Sequence, residues 1–383
     1  MPDTDDATLN IGRRGGRPAA TQRAGRPRAA PTALAAALTF VVAGVLSGLL
    51  IDEYGGVLGT LEWVLRTVVV IAAAVFIAAG LVLVARVRRR VRRRWLGWLA
   101  AVAAVLAFAW FVAAPVGFGV YLTHLPSRDS IRAADLGAAK QDVVLRGADE
   151  LRLRGWYVPS RNGAAVIAMH GTGSSRHGVA RHARTLARHG YGVLALDLRG
   201  HGASDGRSTS APWKLDDDVD RVVAWLAARS DVDAAKIGLL GVSLGGEVAL
   251  RVAARRRDVR ATVVEGAMGG VADARAAGAS WPVLAQLAGL TVVSTLLTAE
   301  SSEADADLVR RIAPRPLLLI SSGRAIEADA NRVFQRRGGA TTRHWNLPDA
   351  AHGQAHRTDP AGYERRVIAF LDAGLSVSSP RPR

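Results

Sequence analysis

Residues 237–250 read "IGLLGVSLGGEVAL". One polar residue, Ser243, sits where the apolar run 237–242 meets a helix-like run starting at Leu244, with Gly241, Gly245 and Gly246 around it. A short, unbroken apolar run bounded by small residues reads as a buried strand, and glycine permits a sharp change of direction. The stretch is therefore strand, tight turn, helix. The neighbouring segments decide what sheet it belongs to, and whether Ser243 is a turn residue or a reactive centre.

From about residue 141 onward the chain repeats this unit. "DVVLRG" and "LRLRGWYVP" predict an antiparallel pair at a sheet edge, and "AAVIAMHG" (164–171) and "YGVLALD" (191–197) predict buried strands. Helices are expected over 176–189, 215–229 and from 244 to about 256, with further strands in "VRATVVEG", "RPLLLISSG" and "TRHWNLP" and a closing helix at 360–374. Strands separated by helices imply an α/β class with a mostly parallel sheet and helices on both faces. Residues 267–313 interrupt the alternation with apolar, helix-like sequence and are expected to form a lid.

The first third of the chain is different. Three segments, about 32–51, 67–85 and 95–122, are long and apolar enough to cross a bilayer as helices. Trp95, Trp98 and Tyr121 lie near the ends of the third, where amphipathic rings favour the interface, and Pro115 is a candidate kink. Arginines crowd residues 13–28 and seven more fill 86–94, whereas Asp52, Glu53 and Glu62 lie between the first two spans. Basic loops stay cytoplasmic, so the expectation is a multi-pass protein of the cell membrane, its N-terminus inside and everything after Leu122 outside. A cleaved signal peptide is the alternative for the first span, but no small-x-small cleavage site follows it. The remaining divisions are a disordered Arg-rich tail over 1–31, a linker over 123–140, a globular domain over 141–375 and a short tail over 376–383.

The net charge of +17 argues for nucleic acid only if it is concentrated beside aromatics, and it is not. Fourteen arginines against six acidic residues precede Pro126 and serve topology; the rest is dispersed. The expected partners are the lipid bilayer and a small-molecule acyl substrate or peptide, with no nucleic acid. The chain has no cysteine, which excludes thiolate catalysis and Cys-based zinc sites. Its nine histidines form no H-E-x-x-H pair and no phosphate loop occurs, so neither metal nor cofactor is expected.

Gly241-Val242-Ser243-Leu244-Gly245 has the form small-x-Ser-x-small between strand and helix, a nucleophile elbow that holds Oγ above the sheet edge. "MHGTGSS" (169–175) follows an earlier strand, so the backbone N–H groups of Thr172 and Leu244 are candidate oxyanion donors. His170, His201 and Asp197 read as braces of these loops. "DAAHGQAH" places His352 in a loop after the last strand, with His356 as a weaker candidate base.

With HG, D-x-R-G-H-G-x-S and G-x-S-x-G in this order, residues 141 to 374 resemble the α/β-hydrolase fold, in particular its esterase, lipase and serine aminopeptidase-like members. The resemblance implies hydrolysis of an ester or related acyl bond through an acyl-enzyme on Ser243, with His352 as general base and then acid. A peptidase of the prolyl or aminopeptidase kind shares the elbow, and a non-catalytic hydrolase-like binding protein is the competing class. The family pattern G-x-x-D after "RPLLLISSG" is absent here. Glu327 is the preferred third member of the triad because it lies nearer the expected loop; Asp329 and Glu265 are the alternatives.

Overall fold

The computed structural model describes residues 134–206, 215–298 and 303–377, with individual positions between 82 and 119. Eight strands form one sheet in the order β1-β2-β4-β3-β5-β6-β7-β8. They are β1 (Gln141–Arg146), β2 (Arg152–Val158), β3 (Ala165–Met169), β4 (Gly192–Asp197), β5 (Ile237–Val242), β6 (Val259–Glu265), β7 (Leu317–Ser321) and β8 (Thr342–Asn346). The first two are antiparallel to each other, β2 is antiparallel to β4, and β3 to β8 run parallel. The parallel strands are covered on both faces, which is why β3, β4 and β7 read as unbroken apolar runs and are buried at every residue.

Helices α1 (Ala180–Arg188) and α9 (Pro360–Gly374), the latter preceded by the short α8 (Ala355–Thr358), cover one face, where Leu186, Val367, Phe370 and Leu371 pack on Val166, Val193 and Ile320. Helices α2 (Asp216–Ala227), α3 (Leu244–Arg255), α6 (Asp305–Ile312) and α7 (Ala325–Gly338) cover the other. There Val222, Val248, Val309 and Phe334 surround Ile167, Leu239 and Leu319. Each such side chain, fully buried, contributes about 1.5–3 kcal/mol relative to exposure. Asp359 caps α9 by accepting the Gly362 N–H, and Pro360 occupies its first turn, where the missing N–H is harmless.

The expected elements over 176–189 and 123–140 need adjustment. The first begins as a 3-10 turn (Arg176–Val179), because Ser175 accepts the His177 N–H and fixes a tighter entry. The end of the second is part of the domain, since Leu136 is fully buried in the core. The region read as a lid contains α4 (Val271–Ala276), α5 (Trp281–Thr298) and α6.

Among the described residues no helix is long and apolar enough to cross a membrane. The segment 32–51, all of 67–85 except Val82, and most of 95–122 lie outside the described residues. Of the third segment, described residues between Trp110 and Gly119 contact α5. The Phe111 and Trp281 rings are 5.2 Å apart, Gln286 Nε2 donates to the Trp110 carbonyl, and Gly289 faces Pro115.

Candidate active site

Strand β5 hands the chain to α3 through Ser243, whose backbone sits at φ 53°, ψ −116°. A side-chain-bearing residue in that region is strained by about 1–3 kcal/mol. The turn is held by Ser243 N–H donating to the Glu265 carbonyl at 2.7 Å and by Gly246 N–H returning to the Ser243 carbonyl at 2.8 Å. It also requires glycine on both sides: a Cβ on Gly241 would strike the Gly245 carbonyl, and one on Gly245 would strike that of Met169.

Above the elbow, His352 Nε2 lies 2.9 Å from Ser243 Oγ, and His352 Nδ1 lies 2.5 Å from Glu327 Oε1. An ionised carboxylate only accepts, so Nδ1 carries the proton and Nε2 offers its lone pair to the serine hydroxyl. Glu327 is fully buried. Burial alone would raise its carboxyl, but hydrogen bonds from His352 and the Ser322 N–H (3.0 Å) outweigh it and hold the group below its ordinary value.

Glu327 therefore reaches the imidazole from the first turn of α7, not from a loop. Asp329, two residues on, points away and pairs with Arg332 on the outer face of that helix. Glu265 does not contact the imidazole; its Oε1 accepts the Ala355 N–H at 2.8 Å. His356 is also apart, bonded to Thr185 Oγ1 at 3.0 Å and packed against His182.

The candidate oxyanion donors flank the serine. Leu244 is the first residue of α3, where an N–H has no intrahelical acceptor. Thr172 follows Gly171, and a Cβ on Gly171 would stand 3.2 Å from that of Ser243. The loop is braced by His170, whose Nδ1 donates to the Gly171 carbonyl at 2.8 Å and whose Nε2 accepts the Leu198 N–H at 3.1 Å. Burial, with His201 adjacent, pushes this imidazole down to about 3, so it stays neutral. Asp197 ties the following turn to the same loop, accepting from the Arg176 and Ala203 N–H groups at 2.6 and 2.9 Å. Among the described residues no group of side chains could hold a metal ion.

A second carboxylate cluster went unread in the sequence, because nothing in the spacing of its members joins them. Glu247, on the first turn of α3, accepts the Met268 and Gly269 N–H groups at 3.2 and 3.4 Å. Asp273 accepts those of Gly270, Asp305 and Ala306, each at 3.0 Å. Burial first, then the neighbouring Glu247 and Asp273, hold the Asp305 carboxyl well above its ordinary 3.8. The fold thus favours protonated Asp305, and that stabilisation is complete below about pH 4 and lost as pH rises through the folded-state value. Asp305→Asn, a neutral mimic, is expected to gain about 2–4 °C in Tm relative to wild type between pH 5 and pH 8, read by scanning fluorimetry.

Residues 160–325 match the sequence model of the family described as "Serine aminopeptidase, S33". An uncharacterized protein of Mycobacterium tuberculosis is 36% identical over 139 residues, covering 35% of this chain and 49% of that protein. The chain thus spans about half the length of this mycobacterial relative. The uncharacterized protein YfhR of Escherichia coli is 26% identical over 226 residues, 55% of this chain and 74% of that one. Among solved structures, the Pyrococcus furiosus esterase Pf2001 superposes with a TM-score of 0.54 at 26% identity, over 65% of this chain and 99% of the esterase. The described domain accordingly has the α/β-hydrolase fold, and its segment 160–325 is similar in sequence to the family described as serine aminopeptidase S33.

Proposed function

We propose that the chain is a membrane-anchored serine hydrolase that cleaves an ester, or a related acyl bond, through an acyl-enzyme on Ser243. The hydrogen-bonded line Ser243–His352–Glu327 carries this reading, and the likeness to an esterase over the whole of that esterase's length supports it. Ser243 Oγ attacks the acyl carbon while its proton passes to His352 Nε2. The oxyanion is held by the Leu244 and Thr172 N–H groups. The imidazolium, stabilised by Glu327, gives the proton to the departing alcohol. Water, deprotonated by the same Nε2, then releases the acid and restores the hydroxyl.

The peptidase reading is favoured by one observation, the description of the matching family. Turnover of p-nitrophenyl butyrate against that of alanine p-nitroanilide separates the two. For the bilayer as partner and the outer face as location, the support is in the arginine-flanked apolar segments and in α5. Residues 276–299 contain no ionisable group in a chain where 22% are charged. Helix α5 packs on described residues of the third apolar segment, with Gly289 facing Pro115.

One experiment addresses chemistry and topology together. Intact cells are treated with a membrane-impermeant fluorophosphonate, and wild type is compared with Ser243→Ala. Labelling of wild type alone is expected. Labelling only after the cells are broken reverses the topology, and none in either state from folded protein defeats the hydrolase reading.

A further inference from the structure

Glu265 takes no part in the line of hydrogen bonds from Ser243 to Glu327, yet it is attached to both halves of it. Its main-chain carbonyl accepts the Ser243 N–H at 2.7 Å. Its side chain, 3% exposed, accepts through Oε1 the N–H of Ala355, three residues beyond His352, at 2.8 Å. The residue itself is fixed in the middle of the sheet, paired with Val242 on β5 and Ile320 on β7. The strand end also underlies the imidazole: Gly266 has φ +79°, and a Cβ there would stand 2.9 Å from His352 Cε1.

The loop bearing His352 is tied elsewhere to the acid's side of the site. Leu347 N–H donates to the Ser321 carbonyl at 2.8 Å, and Gly323 N–H donates to the Ala350 carbonyl at 2.9 Å. These bonds fix the loop to the end of β7, from which Glu327 follows. The Ala355–Glu265 bond fixes it to the strand that also holds the nucleophile. Behind the carboxylate, His182 Nε2 lies 3.5 Å from Oε2, and the rings of His182, His356 and Tyr363 stand 5.0 to 5.3 Å apart. This buried wall leaves the side chain little freedom to swing.

We infer that Glu265 is a positioning residue that sets the reach from His352 to Ser243, its backbone fixing the elbow and its side chain fixing the loop of the base. The inference rests on the hydrolase reading above. What matters in it is where the acceptor atom stands, not the charge it carries. Displacing a reacting group by about 1 Å costs on the order of a hundredfold in rate.

Two conservative variants of the full-length protein separate these properties. Glu265→Gln keeps the length and the carbonyl acceptor and loses the charge. Glu265→Asp keeps the charge and draws the acceptor back by about 1.5 Å, one carbon–carbon bond. Turnover of p-nitrophenyl butyrate is measured per active site, with sites counted by fluorophosphonate titration so that unfolded protein does not enter. Glu265→Gln is expected to retain kcat within about threefold, and Glu265→Asp to lose at least about tenfold in kcat with KM within about twofold. The reverse order would assign the role to charge and overturn the inference. So would two variants equal to wild type, or two equally inactive ones. A wild type whose Ser243 takes up no fluorophosphonate defeats the hydrolase reading and this inference with it, whereas an active wild type with indifferent variants defeats the inference alone.

Discussion

Ser243→Ala is expected to lower kcat/KM toward p-nitrophenyl butyrate by about 10⁴-fold or more, close to 5.5 kcal/mol of transition-state stabilisation. The loss follows from removal of the atom that forms the acyl-enzyme, with the imidazole left 2.9 Å from where Oγ stood. Some rate above that in water remains, because the backbone donors of Leu244 and Thr172 still meet an oxyanion. Alanine keeps a Cβ at φ 53°, so the strain of the turn persists and stability changes little. Ser243→Gly removes the Cβ and is equally inactive, but is expected to be more stable by about 1 kcal/mol, or about 2–4 °C in Tm. A calorimetric scan showing no gain for glycine over alanine would mean that the surrounding contacts, not the serine, impose the turn's cost.

Glu327→Gln is expected to reduce kcat by about 10³–10⁴-fold while leaving KM near wild type. An amide can present its NH₂ group to Nδ1 and stabilise the wrong tautomer, with the proton on Nε2 facing Ser243. Even when the amide is turned the other way, the imidazolium loses its counter-charge in a buried site. Asp329→Asn, on the outer face of α7, is expected to change kcat less than twofold. Equal losses in the two variants would show that general disturbance of α7 is being measured. A loss confined to Asp329→Asn would transfer the role of the acid.

Most of the sheet was legible because a parallel strand covered on both faces must be apolar throughout, as Ile167 to Met169 and Leu317 to Ile320 are. The elbow was legible for a related reason: only a glycine-flanked turn lets Gly245 approach the Met169 carbonyl. The acid was harder. A carboxylate on the first turn of a helix points wherever that helix is aimed, and the angle of α7 depends on packing by Phe334 and Val333 that no local pattern records. Glu265 was visible as a strand-end carboxylate, but its partner, the Ala355 N–H, is a main-chain group common to every non-proline residue and carries no sequence signal. Asp305 and Asp273 lie 32 residues apart and meet only because α4 and α6 return to the same edge.

Strands β6 and β7 are hydrogen-bonded neighbours, with Glu265 opposite Ile320, although residues 266–316 come between them. Because the two strands are parallel, the excursion leaves β6 at the end of the sheet that carries the elbow and re-enters at the opposite end of β7 through the crossover helix α6. The part before α6 is free of the strands, and doubling such a loop costs only about 0.6 kcal/mol of closure entropy. In evolutionary terms this is an open slot beside fixed chemistry. Segments of other lengths and polarities can be exchanged there, altering what is admitted without redesign of the elbow, the imidazole loop or the sheet. A graft into the slot must leave α6 in place, since Leu308, Val309 and Ile312 pack in the core, and must respect the hold of Asp273 on the backbone of Asp305 and Ala306.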